Sequence, residues 1–170
     1  MPRIQFIAKG ARLLTYKISR YNGGRNDEVA ALILSIQNGE AELNLSIAEQ
    51  PDLQDVSASY GEGGFWIAEY EGRLVGSIGL LPYGERAALK NFFVAAEHRG
   101  PNGPARRLFE LLLQTALDRG YKDIFLDTPS VATRSHAFYL RVGFERCERQ
   151  DLPAGYDFPD RLSLVFRRRL

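Results

Sequence analysis

The sequence predicts an α/β fold with a mixed sheet of about six to seven strands flanked by about four helices. Glycine and proline divide the chain into short elements, and the hydrophobic period alternates between that of a strand and that of a helix. A strand, a glycine turn, a helix and a second strand also follow one another, which predicts a right-handed crossover between parallel strands. Tight turns elsewhere predict antiparallel pairs, so the sheet contains both kinds of pairing.

The first part of the chain is predicted to contain one strand and two helices. The strand runs from Thr15 to Tyr21, and Asn22-Gly23-Gly24 ends it. Apolar residues then recur at helical spacing from Val29 until the left-handed stop at Asn38-Gly39. A shorter helix is predicted from Pro51 to Tyr60, because the fixed φ and missing N–H of proline suit a first helical turn.

Three strands are predicted in the middle of the chain. Residues Phe65 to Tyr70 and Leu74 to Leu81 are apolar, β-branched or aromatic, and Glu71-Gly72-Arg73 separates them. This arrangement predicts a hairpin with a tight turn. A third strand is predicted from Ala87 to Val94.

The remaining elements complete the crossover and close the sheet. A helix is predicted from Ala105 to a stop at Arg119-Gly120, followed by a short buried strand from Ile124 to Leu126 and a further helix from Thr133 to Arg141. Two strands, from Phe144 to Gln150 and from Leu162 to Arg168, are predicted to form a closing hairpin.

Length and composition favour a single domain over residues 1–170, with a core from about 16 to 168. The 170 residues are 45% hydrophobic, which suits one globular core. The 22 basic and 21 acidic side chains give a net charge of +1, so nucleic acid is not an expected partner. No apolar run approaches the length that spans a bilayer, so a cytoplasmic protein without a membrane partner is expected. The oligomeric state stays open, a homodimer included.

Cysteine and histidine are too few for a metal or disulfide framework. Cys147 is the single cysteine, so no intrachain disulfide can form. The two histidines have no usual zinc-ligand spacing to it, and no metal is expected.

The most informative segment, residues 94–108, joins a strand end through glycines to a predicted helix start. Free backbone N–H groups and the helix dipole favour phosphate at such a junction, and glycine allows close approach. Arg99, Arg106 and Arg107 add positive charge that would complement a pyrophosphate. From these residues alone, an ordinary glycine turn remains the alternative.

This segment resembles the acyl-CoA binding motif of the GNAT superfamily of N-acetyltransferases, Arg/Gln-x-x-Gly-x-Gly/Ala. Here the loop between Arg99-Gly100 and Gly103-Pro104-Ala105 is one residue longer, and Pro104 lacks an N–H. The resemblance implies that acetyl-CoA is the acyl donor. The cofactor-binding residues it implies in this loop are Arg99, Gly100, Asn102, Gly103, Ala105 and Arg106.

A second segment, Ala137 to Phe144, is similar to a later GNAT motif in which a helix carries a tyrosine and runs into Gly-Phe. The resemblance implies that Tyr139 is the general acid that protonates the departing thiolate. A phenol with a pKa near 10 stays protonated at neutral pH, so this chemistry is reasonable.

The resemblance also implies a mechanism. In GNAT proteins the fourth and fifth strands part at their ends, the pantetheine arm lies between them, and a backbone amide polarises the thioester carbonyl. Phe93, Val94 and Ala95 are the matching positions. A primary amine of a small molecule or peptide would attack directly, so no covalent enzyme intermediate is expected and Cys147 is not needed.

The general base and the acceptor are left open by the sequence. Asp127 is a candidate for substrate contact, and residues 50–53 lie in the region where relatives shape the acceptor pocket. Many relatives carry a cofactor-binding asparagine where this chain has Ala132, which keeps a non-catalytic acyl-CoA-binding or interaction module as the alternative. The candidate bases are Glu69, Glu85, Glu97, Asp127 and His136.

Overall fold

The computed structural model describes residues 15–40, 42–157 and 162–170, and within these ranges it contains seven strands and four α-helices. The strands are β1 Lys17–Arg20, β2 Gly64–Tyr70, β3 Arg73–Tyr83, β4 Arg86–Val94, β5 Asp123–Thr128, β6 Glu145–Cys147 and β7 Leu164–Arg169. The helices are α1 Asn26–Glu40, α2 Val56–Ser59, α3 Ala105–Asp118 and α4 Thr133–Arg141. The predicted fold class is confirmed.

One mixed sheet has the strand order β1-β2-β3-β4-β5-β7-β6. Every neighbouring pair is antiparallel except β4 and β5, which are parallel and joined through α3. This confirms the predicted parallel pairing of the two strands joined by the crossover, whose right-handedness stays a prediction. The closing hairpin is also confirmed, with β7 lying between β5 and β6.

The two parallel strands pair only at their beginnings. Ala87 lies opposite Ile124 and Ala88 opposite Phe125, and no later residues of these strands are paired with each other. β4 nevertheless continues to Val94, and β5 to Thr128, each held by its antiparallel neighbour on the other side. The strands therefore part toward their carboxyl ends, and we call this opening the β4–β5 gap.

A bulge interrupts β4 beside this gap. The register between β3 and β4 shifts between Ser77 and Gly79, opposite Asn91, whose φ is 50°. The Ser77 hydroxyl donates a 2.8 Å hydrogen bond to the Asn91 carbonyl and so holds the bulge in shape. A bulge bends a strand and redirects its side chains, and here it turns the Asn91 amide toward the α2 side of the sheet.

Two apolar cores lie on opposite faces of the sheet. Helices α3 and α4 cover one core, which includes Leu108, Leu112 and Tyr139. Helices α1 and α2 cover the other, which includes Ile33 and Val56. The gap thus opens between two helical layers.

The helix predicted from Pro51 to Tyr60 is wrong as a single element. A 3₁₀ turn, Pro51–Leu53, is followed by the short helix α2, because Asp55 has an extended backbone and caps α2 by accepting from the Ala58 amide. The predicted strand from Phe144 is also shorter, since a 3₁₀ turn at Arg149–Asp151 follows β6. No helix in the described ranges has the length and apolar character needed to cross a membrane.

Candidate active site

The amino terminus of α3 presents backbone amides that lack acceptors. Pro104 occupies the N-cap position and makes no side-chain cap, and the first amide with a helical acceptor is that of Leu108, which donates to the Pro104 carbonyl. The amides of Ala105, Arg106 and Arg107 bond to no acceptor in the described part of the chain. Three N–H groups and the helix dipole therefore point at one spot, as an anion site requires.

The loop before α3 depends on Gly103. Its amide donates to the Gly100 carbonyl at 3.0 Å, so this N–H is used inside the loop, whereas the Asn102 amide has no acceptor among the described residues. A Cβ at Gly103 would lie 2.1 Å from the His98 carbonyl oxygen, closer than atoms can approach. Gly100 has φ +106°. The tight loop therefore requires glycine at position 103 for space.

The guanidinium of Arg99 is engaged away from these amides. Its Nε donates to the Val94 carbonyl at 2.7 Å, and its terminal nitrogens donate to both carboxylate oxygens of Glu40 at 2.8 and 2.7 Å. Glu40 is the last residue of α1, on the opposite face of the sheet from α3. A direct contact of Arg99 with the cofactor stays a prediction, and in this structure Arg99 clamps the end of β4 to α1.

Two variants distinguish a clamp from a phosphate ligand. We expect Arg99→Gln and Glu40→Gln both to weaken acetyl-CoA binding by up to about tenfold, because either change releases the loop, and each to lower the melting temperature by about 2–4 °C. Calorimetric titration and thermal unfolding measure the two effects. If Glu40→Gln instead tightens binding while Arg99→Gln weakens it, the guanidinium binds phosphate directly.

The other arginines of the loop lie at the start of α3. Arg106 is exposed and its Nε donates to Glu110 at 2.9 Å, whereas Arg107 reaches the Tyr16 carbonyl at 3.5 Å. Both remain within the first helical turn, so they add positive charge near the free amides.

Of the three predicted strand positions, Val94 presents its backbone to the gap. The Ala95 amide donates to the Val75 carbonyl of β3 at 2.8 Å. Successive N–H groups of a strand point to opposite edges, so the Phe93 amide also faces β3 while the Val94 amide faces the gap. Because the Val94 amide faces the gap, it is a candidate oxyanion donor, and because Val94 is buried, a hydrogen bond from this amide would be little weakened by water.

Tyr139 lies in α4 with only 6% of its surface exposed. Its hydroxyl makes no hydrogen bond with the described residues, and the described contacts of the side chain are those of its ring. Burial, and secondly the charge of Asp127, raises the pKa of the Tyr139 phenol. The hydroxyl therefore stays protonated and available as a donor. Four rings surround it at centroid distances of 5.7 to 6.4 Å, those of Phe92, Phe138, Phe144 and Phe166.

Asp127, the predicted substrate contact, lies on β5 where the gap opens. Its Oδ1 accepts from Lys90 Nζ at 3.0 Å and from the Tyr156 hydroxyl at 2.7 Å. Lys90 also donates to the Asp157 carbonyl and sits 4.0 Å from the Tyr156 ring centre. The charge of Asp127 is thus balanced by Lys90 within the protein.

The other candidate bases are not gathered at the gap. Glu69 pairs with Arg25 on the β1 side of the sheet. Glu85 lies in the β3–β4 turn, at the opposite end of β4. The Nε2 of His136 lies 3.0 Å from a backbone carbonyl, and Glu97 lies in the turn after β4.

The sequence did not reveal a polar cluster on the α2 side of the gap. Asp52 Oδ2 accepts from the Tyr60 hydroxyl at 2.6 Å and from Asn91 Nδ2 at 2.8 Å, and Asn91 Nδ2 also lies 2.9 Å from the Tyr60 hydroxyl. The only sequence signal was a polar asparagine within an otherwise largely apolar strand. Since the bulge that aims Asn91 is a tertiary feature, its role could not be predicted.

Comparison with known proteins agrees with this geometry. Residues 31–144 match the family model described as the acetyltransferase (GNAT) family. Human N-acetyltransferase 8 is 38% identical over 104 residues, which cover 56% of this chain and 45% of that protein. The chain thus spans about half the length of the curated relatives it matches.

Two solved structures resemble nearly the whole chain. An acetyltransferase from Streptococcus agalactiae has 36% identity and a TM-score of 0.85, covering 91% of this chain and 98% of that one. A GNAT-family acetyltransferase from Staphylococcus aureus has 27% identity, the same TM-score, and coverage of 91% and 99%. With the family match covering well over half of the sequence, the chain belongs to the GNAT acetyltransferase family.

Proposed function

We propose that this protein transfers the acetyl group of acetyl-CoA to a primary amine of a small molecule or peptide. The observation that carries the proposal is the β4–β5 gap. At one end lie the α3 amides and beside it the Tyr139 hydroxyl, none of which has a hydrogen-bond partner among the described residues. Family membership supports the class of reaction.

The donor would bind along β4. Its pyrophosphate would accept hydrogen bonds from the amides of residues 105–107, with Arg106 and Arg107 adding charge. The pantetheine arm would enter the gap and pair with the free edge of β4, as the opening between the parallel strands allows. These contacts would bring the thioester to Val94.

The reaction would proceed by direct attack. The neutral amine nitrogen bonds to the thioester carbonyl carbon, and the negative charge on the carbonyl oxygen is stabilised by the Val94 amide. The C–S bond then breaks and its electron pair stays on sulfur, which receives a proton from the Tyr139 hydroxyl. The attacking nitrogen releases one proton, and the Tyr139 phenolate takes up one proton to become a phenol again. The protons therefore balance over the whole reaction.

Calorimetry with acetyl-CoA, coenzyme A and an adenine dinucleotide tests the proposal first. We expect saturable binding of acetyl-CoA and coenzyme A and none of the dinucleotide, followed by acetylated products when amines are added and analysed by mass spectrometry. Binding without acetylation of any amine would favour a non-catalytic acyl-CoA-binding module. Absence of acetyl-CoA binding would contradict both the proposed acetyltransferase and the non-catalytic acyl-CoA-binding module.

A further inference from the structure

We infer that the acceptor carries, besides the reacting amine, a second and cationic amine rather than a carboxylate, and that Asp52 binds this cation at the mouth of the β4–β5 gap. The inference rests on the proposed function, because it names the acceptor class for the same gap. Asp52 would act as a specificity-determining residue.

Asp52 carries a negative charge that no described lysine or arginine balances. Its partners are two neutral donors, the Tyr60 hydroxyl and the Asn91 amide, and both bond to Oδ2. Within the described residues no lysine or arginine pairs with it, in contrast to Asp127 and its partner Lys90. A carboxylate fixed by neutral donors keeps its capacity to bind a cation.

The position of Asp52 follows from the bulge. Asn91 lies beyond Ala88, the last paired residue of β4, and therefore borders the gap. Asp52 lies in the turn at Pro51–Leu53, on the α2 side of the sheet. The Asn91 side-chain amide donates a hydrogen bond to the Asp52 carboxylate and so holds it at this edge. The acceptor would thus approach from the α2 layer.

The Tyr139 hydroxyl, the proposed proton donor, lies on the other side of the same opening. The Tyr139 side chain, nine-tenths buried on the α4 side of the gap, has a hydroxyl without a described partner, and it lies close enough to Asp127 to sense that charge. A hydroxyl that donates to no described protein group is free to donate a hydrogen bond to a bound molecule. The gap therefore has, on one side, a carboxylate that no described lysine or arginine pairs with and, on the other, a hydroxyl without a described partner.

The surroundings favour a cation over an anion. Burial raises the pKa of the Tyr83 hydroxyl most, and the charges of Asp157, Asp127 and Asp52 raise it further, so three carboxylates lie near this side of the gap. Lys90 contacts two of these residues, Asp127 and Asp157. Lys90 is itself occupied by Asp127, a carbonyl and the Tyr156 ring, so it offers no free positive charge to a substrate carboxylate. The Tyr83 ring, stacked 5.6 Å from that of Tyr156, adds an aromatic group of the kind that attracts ammonium groups.

A matched pair of acceptors tests the inference. With acetyl-CoA, 1,6-diaminohexane should be acetylated with a kcat/KM at least about tenfold above that of 6-aminohexanoate, which has a carboxylate in place of one amine. Asp52→Asn keeps an oxygen for Tyr60 but removes the charge, so it should lower kcat/KM for the diamine about 10- to 30-fold and shrink the preference. Its Kd for acetyl-CoA should stay unchanged, and Asp118→Asn, at the far end of α3, is the control.

The outcomes separate this inference from the proposed function. Equal rates with the two acceptors, no acetylation of the diamine by a protein that binds acetyl-CoA, or unchanged selectivity in Asp52→Asn would each overturn the cationic acceptor. In all three cases acetyl-CoA binding, and acetylation of some other amine, would leave the proposed function standing. The comparison of acceptors on the unaltered protein needs no variant, so a poorly folded Asp52→Asn would not decide it.

Discussion

Replacing Gly103 with alanine is expected to weaken acetyl-CoA binding at least about 100-fold. The new Cβ would sit 2.1 Å from the His98 carbonyl oxygen, and because that atom is backbone the loop must move. Movement displaces the turn closed by the Gly103 amide and the Gly100 carbonyl, directly before the free amides of α3. Losing two hydrogen bonds to a charged phosphate costs about 3–6 kcal/mol, which corresponds to at least this factor.

The effect should be specific to binding. Gly39→Ala is a suitable control, because nothing lies within 4 Å of its Cβ position and alanine is a better residue than glycine inside α1. Calorimetric titration should show an unchanged Kd for Gly39→Ala and little or no heat for Gly103→Ala at the same concentrations. Normal binding by Gly103→Ala would mean that the phosphate site lies elsewhere.

Local patterns were sufficient to predict most of the fold. The hairpin of β2 and β3, the crossover through α3, and helix α4 from Thr133 to Arg141 each depend on periodicity and turn residues close together in the chain. The segment from Pro51 was mispredicted, because the Asp55 cap starts a new helix where periodicity alone suggested continuation.

In the candidate site, too, residues within local motifs could be predicted, whereas contacts between distant residues could not. Gly103 and Tyr139 lie within contiguous motifs, so the sequence was enough to single them out. The pairing of Arg99 with Glu40 and of Asn91 with Asp52 joins residues 59 and 39 positions apart, which no local pattern can reveal. Tertiary contacts therefore decide which polar groups are occupied and which stay available to ligands.

The second large effect is expected for Tyr139→Phe, which should lower kcat about 100-fold while the Kd for acetyl-CoA changes by less than about threefold. General acid catalysis typically contributes a factor of 10² or more, and only the hydroxyl is removed. Since that hydroxyl has no described hydrogen-bond partner, its loss leaves no group unsatisfied and the ring still fills its aromatic surroundings. The pKa of the Tyr139 phenol is raised, so the unaltered enzyme should keep its proton donor, and its activity, at pH 9.

Thiol release with acetyl-CoA and an accepted amine, followed at pH 7 and pH 9, separates chemistry from folding. Tyr121→Phe is the matched control, because this tyrosine packs against the same core, has no described hydroxyl partner, and lies beyond the carboxyl end of α3. It should retain full kcat. If Tyr139→Phe also retains full kcat with an unchanged melting temperature, Tyr139 is a packing residue and the departing sulfur takes its proton from water. If both variants lose activity together with stability, the loss reflects the core, because a donor role predicts a low kcat only for Tyr139→Phe in a fully folded protein.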